Sequence, residues 1–403
     1  MPKQAIKKGS GVKKATGLAA FKERKGLTYD PSNNNTTKVS NANKPQEFYI
    51  LCDAFAKATM MPGLPKSQII SVLGHSNVGK STLLNHAFVS AINQGSIVVY
   101  FDTENAFSFQ YARQMGLKAE PIYGDVEVED VDPDTGEITT HIENRIIDWE
   151  GNFLYYDTKK LAEQYGNWDY QQGKEVSKKR TRAVIEDIAM CMNEILDAQE
   201  NGEIQQDILF IWDSVGSIGC FREYCAKGMG NPLWTAAAIS AAFNSIVNDR
   251  IPSSKKVSSK YSNTFLYTNK IWLDSMTVQT GPAILRPKGG ASLGYSCRMS
   301  YLLGKQLVSG VKRLTATAKG LTYNYGIETC IKVLKNHLDA PYNVTYEGPL
   351  IACDLGFISP DDLENYKKTH ISEILKQLNS QATDGTVVTA DDVVFTEEEM
   401  EEQ

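Results

Sequence analysis

A mostly parallel α/β sheet with helices on both faces is the fold class that three observations predict. Short, wholly apolar runs recur at 69–73, 97–101 and 208–212, each the size of a strand buried on both faces. Segments of helical period lie between them: residues 81–93 follow the first run, and Val184, Ile188, Met192 and Ile195 repeat at helical spacing before the third. Ile239, Phe243, Ile246 and Val247 mark a further helix ahead of a strand at 264–268, and such strand–helix alternation implies a doubly wound arrangement.

Composition agrees with a folded chain. Of 403 residues, 42% are hydrophobic and 22% charged, ordinary globular usage that excludes a wholly disordered, collagen-like or small disulfide-stapled chain. The length fits about two to three domains. No apolar run approaches the ~20 residues that cross a bilayer, and the lysines near the N-terminus precede no apolar stretch of a secretory signal. The cysteines (Cys52, Cys191, Cys220, Cys225, Cys297, Cys330, Cys353) are odd in number and form no C-x-x-C. They read as buried, reduced thiols of a reducing compartment, so a cytoplasmic location with no membrane contact is expected.

The chain divides into a basic arm over 1–45, with Leu18 to Phe21 a short sticky element in it, a core over 46–357, and a C-terminal helical region with an acidic tail over 358–403. Residues 1–25 hold eight basic side chains and one acid, Glu23. Residues 389–403 hold seven acids and no base. A basic head can bind nucleic acid and an acidic tail can compete with nucleic acid for basic surfaces; two solvated, disordered ends are the alternative. Residues 119–180 break the strand–helix alternation. Alternating residues on both sides of Asp132-Pro133-Asp134-Thr135-Gly136 predict a hairpin, and this acidic, aromatic block reads as an inserted subdomain or a long ordered loop.

The chemistry concentrates in one motif. Gly74-His75-Ser76-Asn77-Val78-Gly79-Lys80-Ser81 fits G-x-x-x-x-G-K-[ST], between a predicted strand and a predicted helix. Glycines let the backbone curl so that successive N–H groups point at phosphate oxygens, and the helix start adds positive dipole. Lys80 is expected at the β- and γ-phosphates, the Ser81 hydroxyl at Mg²⁺, Thr82 beside the nucleotide, and His75 as a loop side chain. Asp213, ending the third run, is the expected second carboxylate of the metal site. Glu104, just past the second run, is placed to polarise an attacking water; a surface acid is its alternative reading.

These residues resemble the RecA family of recombinases, including phage-encoded members. Gly63-Leu64-Pro65 before the phosphate strand, Phe101-Asp102-Thr103-Glu104-Asn105-Ala106, Tyr111-Ala112-Arg113-Gln114-Met115-Gly116-Leu117 and Asp213-Ser214-Val215 resemble family segments. So do Thr268-Asn269-Lys270-Ile271, Gly289-Gly290, and Lys332-Val333-Leu334-Lys335-Asn336-His337 followed by Ala340-Pro341. The likeness covers roughly 47–118 and 181–357. It implies a RecA-like ATPase core with ATP and Mg²⁺ as cofactors, Tyr111 on the adenine, and Asn269 and Lys270 at the γ-phosphate sensor position. It also implies Lys335 and His337 at a subunit boundary. The usual sensor Gln is Lys270 here, the second interface lysine is His337, and Ser108 replaces an acid near the adenine.

The resemblance further implies two DNA-facing loops, about 219–233 and 272–290. The first carries Lys227, Gly228, Met229 and Gly230; the second carries Met276, Ile284, Arg286, Lys288, Gly289 and Gly290. Cationic groups and backbone N–H donors hold phosphates while apolar tips wedge between bases; without the likeness these read as ordinary surface loops. The expected function is an ATP-dependent DNA strand-exchange recombinase, a DNA-dependent ATPase forming a helical filament on single-stranded DNA and acting on double-stranded DNA, with loading or replication proteins as further partners. A hexameric motor of the same core and an ATP-binding coat on single strands that hardly hydrolyses are the alternatives.

Overall fold

The computed structural model describes residues 45–131, 138–226, 231–251, 260–273, 285–287, 292–305, 310–382 and 387–399. The chain enters through β1 (Phe48–Ile50), which pairs antiparallel with β2 (Gly63–Pro65) around the helix Asp53–Thr59. Next come β3 (Ile69–Gly74), the helix Lys80–Asn93, β4 (Ile97–Asp102) and the short helix Phe109–Gln114. A long ribbon follows, β5 (Glu120–Val131) against β6 (Ile138–Glu150), and then β7 (Phe153–Asp157) and the helix Thr158–Tyr165. After the small pair β8 (Trp168–Asp169) and β9 (Lys174–Glu175), the helix Ile185–Glu200 leads to β10 (Ile208–Asp213). Helices Phe221–Cys225 and Pro232–Ala242 precede β11 (Thr264–Leu273), β12 (Leu285–Pro287) and the turn of helix Ser292–Ser296. The chain finishes through β13 (Met299–Leu303), β14 (Lys312–Ala318), β15 (Leu321–Asn336), β16 (Glu347–Cys353), β17 (Gly356–Ile358), helices Leu363–Thr369 and Ile371–Ser380, and β18 (Val394–Glu399).

The main sheet runs β17-β16-β15-β13-β3-β11-β10-β4-β7. From β13 to β7 every pairing is parallel, and from β13 through β17 every pairing is antiparallel. The predicted fold class is therefore present, with the three apolar runs at its centre. Strand alternation sends neighbouring residues to opposite layers. Val98 and Tyr100 join the core under helix Lys80–Asn93, while Val99 and Phe101 join the core under helix Ile185–Glu200. Phe88 centres the first layer, with the rings of Phe107, Phe153 and Tyr100 at 5.0, 5.5 and 5.9 Å. In the second, Trp212, Phe243 and Phe265 stack in series at 5.5 and 6.0 Å.

Two sequence expectations change. Only 120–150 of the 119–180 block stands apart as a ribbon. Phe153–Asp157 completes the main sheet as β7, register-matched to β4 from Val98↔Phe153 to Asp102↔Asp157, and Leu161 and Tyr165 are buried in the second core. Phe153, Tyr155, Tyr156 and Tyr165 of the block thus pack into the two cores at the sheet's edge. The predicted ribbon turn at 132–136 lies outside the described residues, as do the 1–44 arm and its element at Leu18 to Phe21. The C-terminal acids are not all a free tail. Val394–Glu399 pairs antiparallel with β14, with Lys312 Nζ 3.3 Å from Glu397 and Lys319 Nζ 2.9 Å from Asp392. The Lys319 contact and Thr389 hold the Asp392 carboxyl down at about 2. All seven cysteines are free; Cys225 is exposed, and the others are buried or half-buried.

The segment after β9 is fastened by a buried ion pair. Arg180 lies 2.7 Å from Asp187, at 5% and 0% exposure, and donates through both terminal nitrogens. Tyr170 donates to the same carboxylate at 2.8 Å, and Asp187 also accepts the Val184 N–H at 2.8 Å. Removing one partner of such a pair strands the other charge in low dielectric. Arg180→Ala is expected to destabilise the fold by about 3–5 kcal/mol in urea unfolding. Lys159→Ala, which removes a surface pair with Glu163, should change stability by about 0.5 kcal/mol or less.

Candidate nucleotide site

The register of four parallel strands assembles the site. β10 and β4 end level, Asp213 opposite Asp102, and β11 passes β3 with Lys270 opposite Gly74. Groups carried by residues 74–81, 102–104, 213–214 and 269–270 therefore meet at the carboxyl edge of the sheet, where open α/β sheets bind ligands.

Gly74 ends β3 and the chain turns through exposed Ser76 and Asn77 before Gly79 begins the helix. Asn77 at φ +58° and Gly79 at φ +94° give the turn its left-handed geometry, and a side chain at Gly79 would be conformationally strained. Val78 is buried, and its carbonyl accepts from Thr329 of β15 at 3.2 Å, tying the loop to the antiparallel half of the sheet. His75 is half-buried. The Lys80 ammonium donates back to the carbonyls of Gly74 (3.2 Å) and His75. Burial lowers the Lys80 pKa to about 8, against the attraction of Asp213 and Glu104 and with a further lowering by Lys270.

Asp213 is buried and its carboxyl is pushed up from the ordinary value by desolvation. It accepts from Thr268 Oγ1 at 2.5 Å and, weakly, from Ser81 Oγ at 3.5 Å. The structure thus brings the two expected metal-site residues together. An anionic carboxylate and a hydroxyl facing one space form the oxygen donor set that suits Mg²⁺. A bound cation would draw Asp213 back down, because opposite charge favours the ionised carboxyl. The residues present fit an Mg²⁺–triphosphate.

Glu104 leaves the edge on a turn that the sequence did not single out. Asp102, fully buried, accepts the N–H groups of Ala106 (3.1 Å) and Phe107 (2.9 Å) and the Tyr155 hydroxyl (2.8 Å). Thr103 Oγ1 donates to the carbonyls of Asp213 and Ser214 at 2.9 and 3.1 Å. Glu104 Oε1 then accepts from Ser214 Oγ at 2.6 Å and lies 3.3 Å from Lys270 Nζ. Asp102, Thr103, Ser214 and Thr268 are site residues missed in the sequence. Asp102 and Thr268 are polar positions in otherwise apolar strands, and Thr103 and Ser214 are the first residues past β4 and β10, which is the signal that could have found them.

Tyr111 sits beside the helix start, its hydroxyl donating to the Cys353 carbonyl at 2.7 Å and toward Thr82 Oγ1 at 3.4 Å. Burial raises its pKa to about 12. His86, also missed, accepts the Phe357 N–H at 2.8 Å and stacks on that ring at 5.3 Å; burial lowers its pKa to about 4, so it stays neutral. Both residues couple the phosphate-loop helix to the β16–β17 turn. Asn269 is buried on β11 next to Lys270.

Lys335 and His337 are not brought to this site. Lys335 pairs with Ser300 of β13, which pairs with Ser71, toward the amino end of β3 and away from the phosphate loop. Its ammonium donates to the carbonyls of Gly294 and Tyr295 at 3.2 Å each. His337 falls one residue beyond β15, exposed, with its N–H on the Arg298 carbonyl. Lys227, Gly228, Met229, Gly230, Met276, Ile284, Lys288, Gly289 and Gly290 lie outside the described residues. Arg286 is placed by its backbone alone, opposite Trp272 in the β11–β12 pair.

Residues 49–152 match the model of the RecA N-terminal domain. Over this part the chain is similar to the RecA family. Among similar curated proteins, Protein RecA of Wolbachia pipientis subsp. Culex pipiens is 34% identical over 94 residues, 23% of this chain and 25% of that protein. Protein RecA of Desulforapulum autotrophicum is 33% identical over 94 residues, with the same shares. Protein RecA of Anaplasma marginale is 36% identical over 85 residues, 21% of this chain and 22% of that protein. The match thus spans about a quarter of the length of these RecA relatives. The matched domain, 49–152, includes the phosphate loop and Glu104; Asp213, Lys270 and Lys335 lie beyond it. Among the described residues, no helix is long and apolar enough to cross a membrane.

The Lys80 shift gives a pH signature. The free ammonium loses its proton as pH rises through about 8, whereas bound phosphates favour the charged form. Triphosphate binding should take up a proton at pH 9 and almost none at pH 6.5, and affinity should fall about tenfold between pH 7 and 9. Calorimetry in buffers of different ionisation enthalpy measures both; Lys80→Ala should abolish the uptake.

Proposed function

We propose that this protein is an ATP-dependent DNA recombinase that hydrolyses ATP to ADP and phosphate and acts as a filament on single-stranded DNA. The observation that carries the reading is Glu104, held by Ser214 at the sheet edge beside Lys80, Ser81 and Asp213. Lys80 is the cation for the β- and γ-phosphates, and Glu104 orients the attacking water and accepts its proton. Mg²⁺ held near Ser81 and Asp213 would neutralise phosphate charge. The proposed DNA loops follow β10 and β11, adjacent strands that end at this same edge, so DNA contacts and the phosphate site share a support.

A second reading, a coat on single strands with little hydrolysis, is favoured by one contact. Lys270 pairs with Glu104 and so competes for the carboxylate that the water needs. Steady-state hydrolysis with and without single-stranded DNA separates the two. The recombinase reading expects DNA-stimulated turnover that Glu104→Gln lowers at least about tenfold while ATP binding persists. Equal hydrolysis by Glu104→Gln would remove Glu104 from the chemistry. Absence of stimulation that Lys270→Ala restores would favour the coat.

The position of Lys335 supports action across a subunit boundary. It lies level with Ser71 rather than Gly74 and its ammonium is turned to the Gly294 and Tyr295 carbonyls, so a contact with phosphate would be to a neighbour's. Contacts of that class are worth about 10³–10⁵ in rate. Lys335→Ala is expected to bind ATP normally and lose DNA-stimulated hydrolysis. Mixing it with Lys80→Ala protein should recover part of the activity at mixed boundaries; normal turnover by Lys335→Ala alone would refute the trans role.

A further inference from the structure

The β5–β6 ribbon carries a face that no catalytic role accounts for. Register pairs Tyr123↔Ile146, Asp125↔Asn144, Glu127↔Ile142 and Glu129↔Thr140 share one side. On it β6 presents a row of isoleucines and β5 a row of carboxylates. Ile142 is 72% exposed, Tyr123 59% and Ile146 41%. The other side is closed by its own ion pairs, His141 with Asp130 and Glu143, and Arg145 with Glu143. A two-stranded ribbon gains little stability by itself, and an exposed apolar row rimmed by charge marks a contact surface.

The complement of that face is in the same chain. Residues 120–150 contain eleven acids and one arginine, whereas residues 1–25 contain eight basic side chains and one acid around Leu18, Ala19, Ala20 and Phe21. The arm also joins the fold close to the ribbon's base. Tyr49 of β1 donates to Ser96 Oγ at 3.3 Å, and Asn152, two residues past β6, donates to the Ser96 carbonyl at 2.9 Å. The ~20 residues between 25 and 45 span roughly 25 Å as a flexible chain, against a ribbon about 40 Å long. Tethering at that range gives an effective concentration on the order of millimolar.

We propose that the isoleucine–carboxylate face of the ribbon is the docking site of the chain's own basic arm, residues 12–25, with Leu18 and Phe21 on the isoleucine row and Lys22 and Lys25 toward Glu127 and Glu129. The ribbon then holds in cis a segment whose charge also suits nucleic acid.

Chymotryptic cleavage after Phe21 in the full-length protein, read by mass spectrometry, tests this. At low salt the arm should be protected. Glu127→Lys with Glu129→Lys, and separately Ile142→Ser with Ile146→Ser, should each speed cleavage about tenfold or more. These exposed positions should leave the melting temperature unchanged. Adding Lys22→Glu with Lys25→Glu to the acid reversal should recover protection, which a merely destabilised ribbon would not do. Equal cleavage in the unmodified protein and both ribbon variants would overturn the proposal. Protection that disappears on dilution would overturn it too, by assigning the face to a second copy of the chain.

Discussion

The register of the parallel ladder is the constraint on which the site depends. Hydrogen bonding fixes Asp213 opposite Asp102 and Lys270 opposite Gly74, so residues 111 and 196 positions apart in the chain come to one level. The apolar interiors of β3, β4, β10 and β11 enforce that register, because slipping by one residue would turn Val99, Phe101, Phe210 and Trp212 out of their core. Residues that only fill space thereby set the spacing of the charges.

Burial then tunes those charges. Asp213 is raised by desolvation and Lys80 lowered by it, so each is poised to gain from a ligand of opposite charge. The carbonyls of Gly74 and His75 hold the Lys80 ammonium meanwhile. Glu104 differs in standing at the rim, held by Ser214 and Lys270, where a modest rearrangement changes its partner. The buried pair of Arg180 and Asp187 serves structure instead, since neither group faces the phosphate loop and both are closed by aromatic rings and backbone.

Acidic segments take two different places. Val394–Glu399 is zipped onto β14, where Lys312 meets its Glu397 while Lys319 just past β14 meets Asp392 ahead of it, and it covers an edge that would otherwise be open. The β5–β6 ribbon leaves its carboxylates and isoleucines outward. The same composition thus yields a covered sheet edge in one place and an outward-facing row in the other, depending on whether a strand with complementary lysines lies alongside.

The sequence by itself determined the strand cores and the phosphate loop, and it pointed to Lys80, Ser81, Glu104 and Asp213 as the proposed site. Apolar runs and glycine spacing are local properties, and the loop's chemistry is contained in eight consecutive residues. Tertiary structure alone decided what required distant segments to meet. It put Lys270 on Glu104, used Asp102, Thr103 and Thr268 as scaffolding, joined Phe153–Asp157 to the main sheet and returned the acidic C-terminal strand to β14. It also set Lys335 level with Ser71, toward the amino end of β3, with its ammonium on the Gly294 and Tyr295 carbonyls. A polar side chain's role depends on its partner, and these partners lie across the sheet rather than along the chain. Local pattern fixes which residues can form a strand, while the ladder fixes which residues they face.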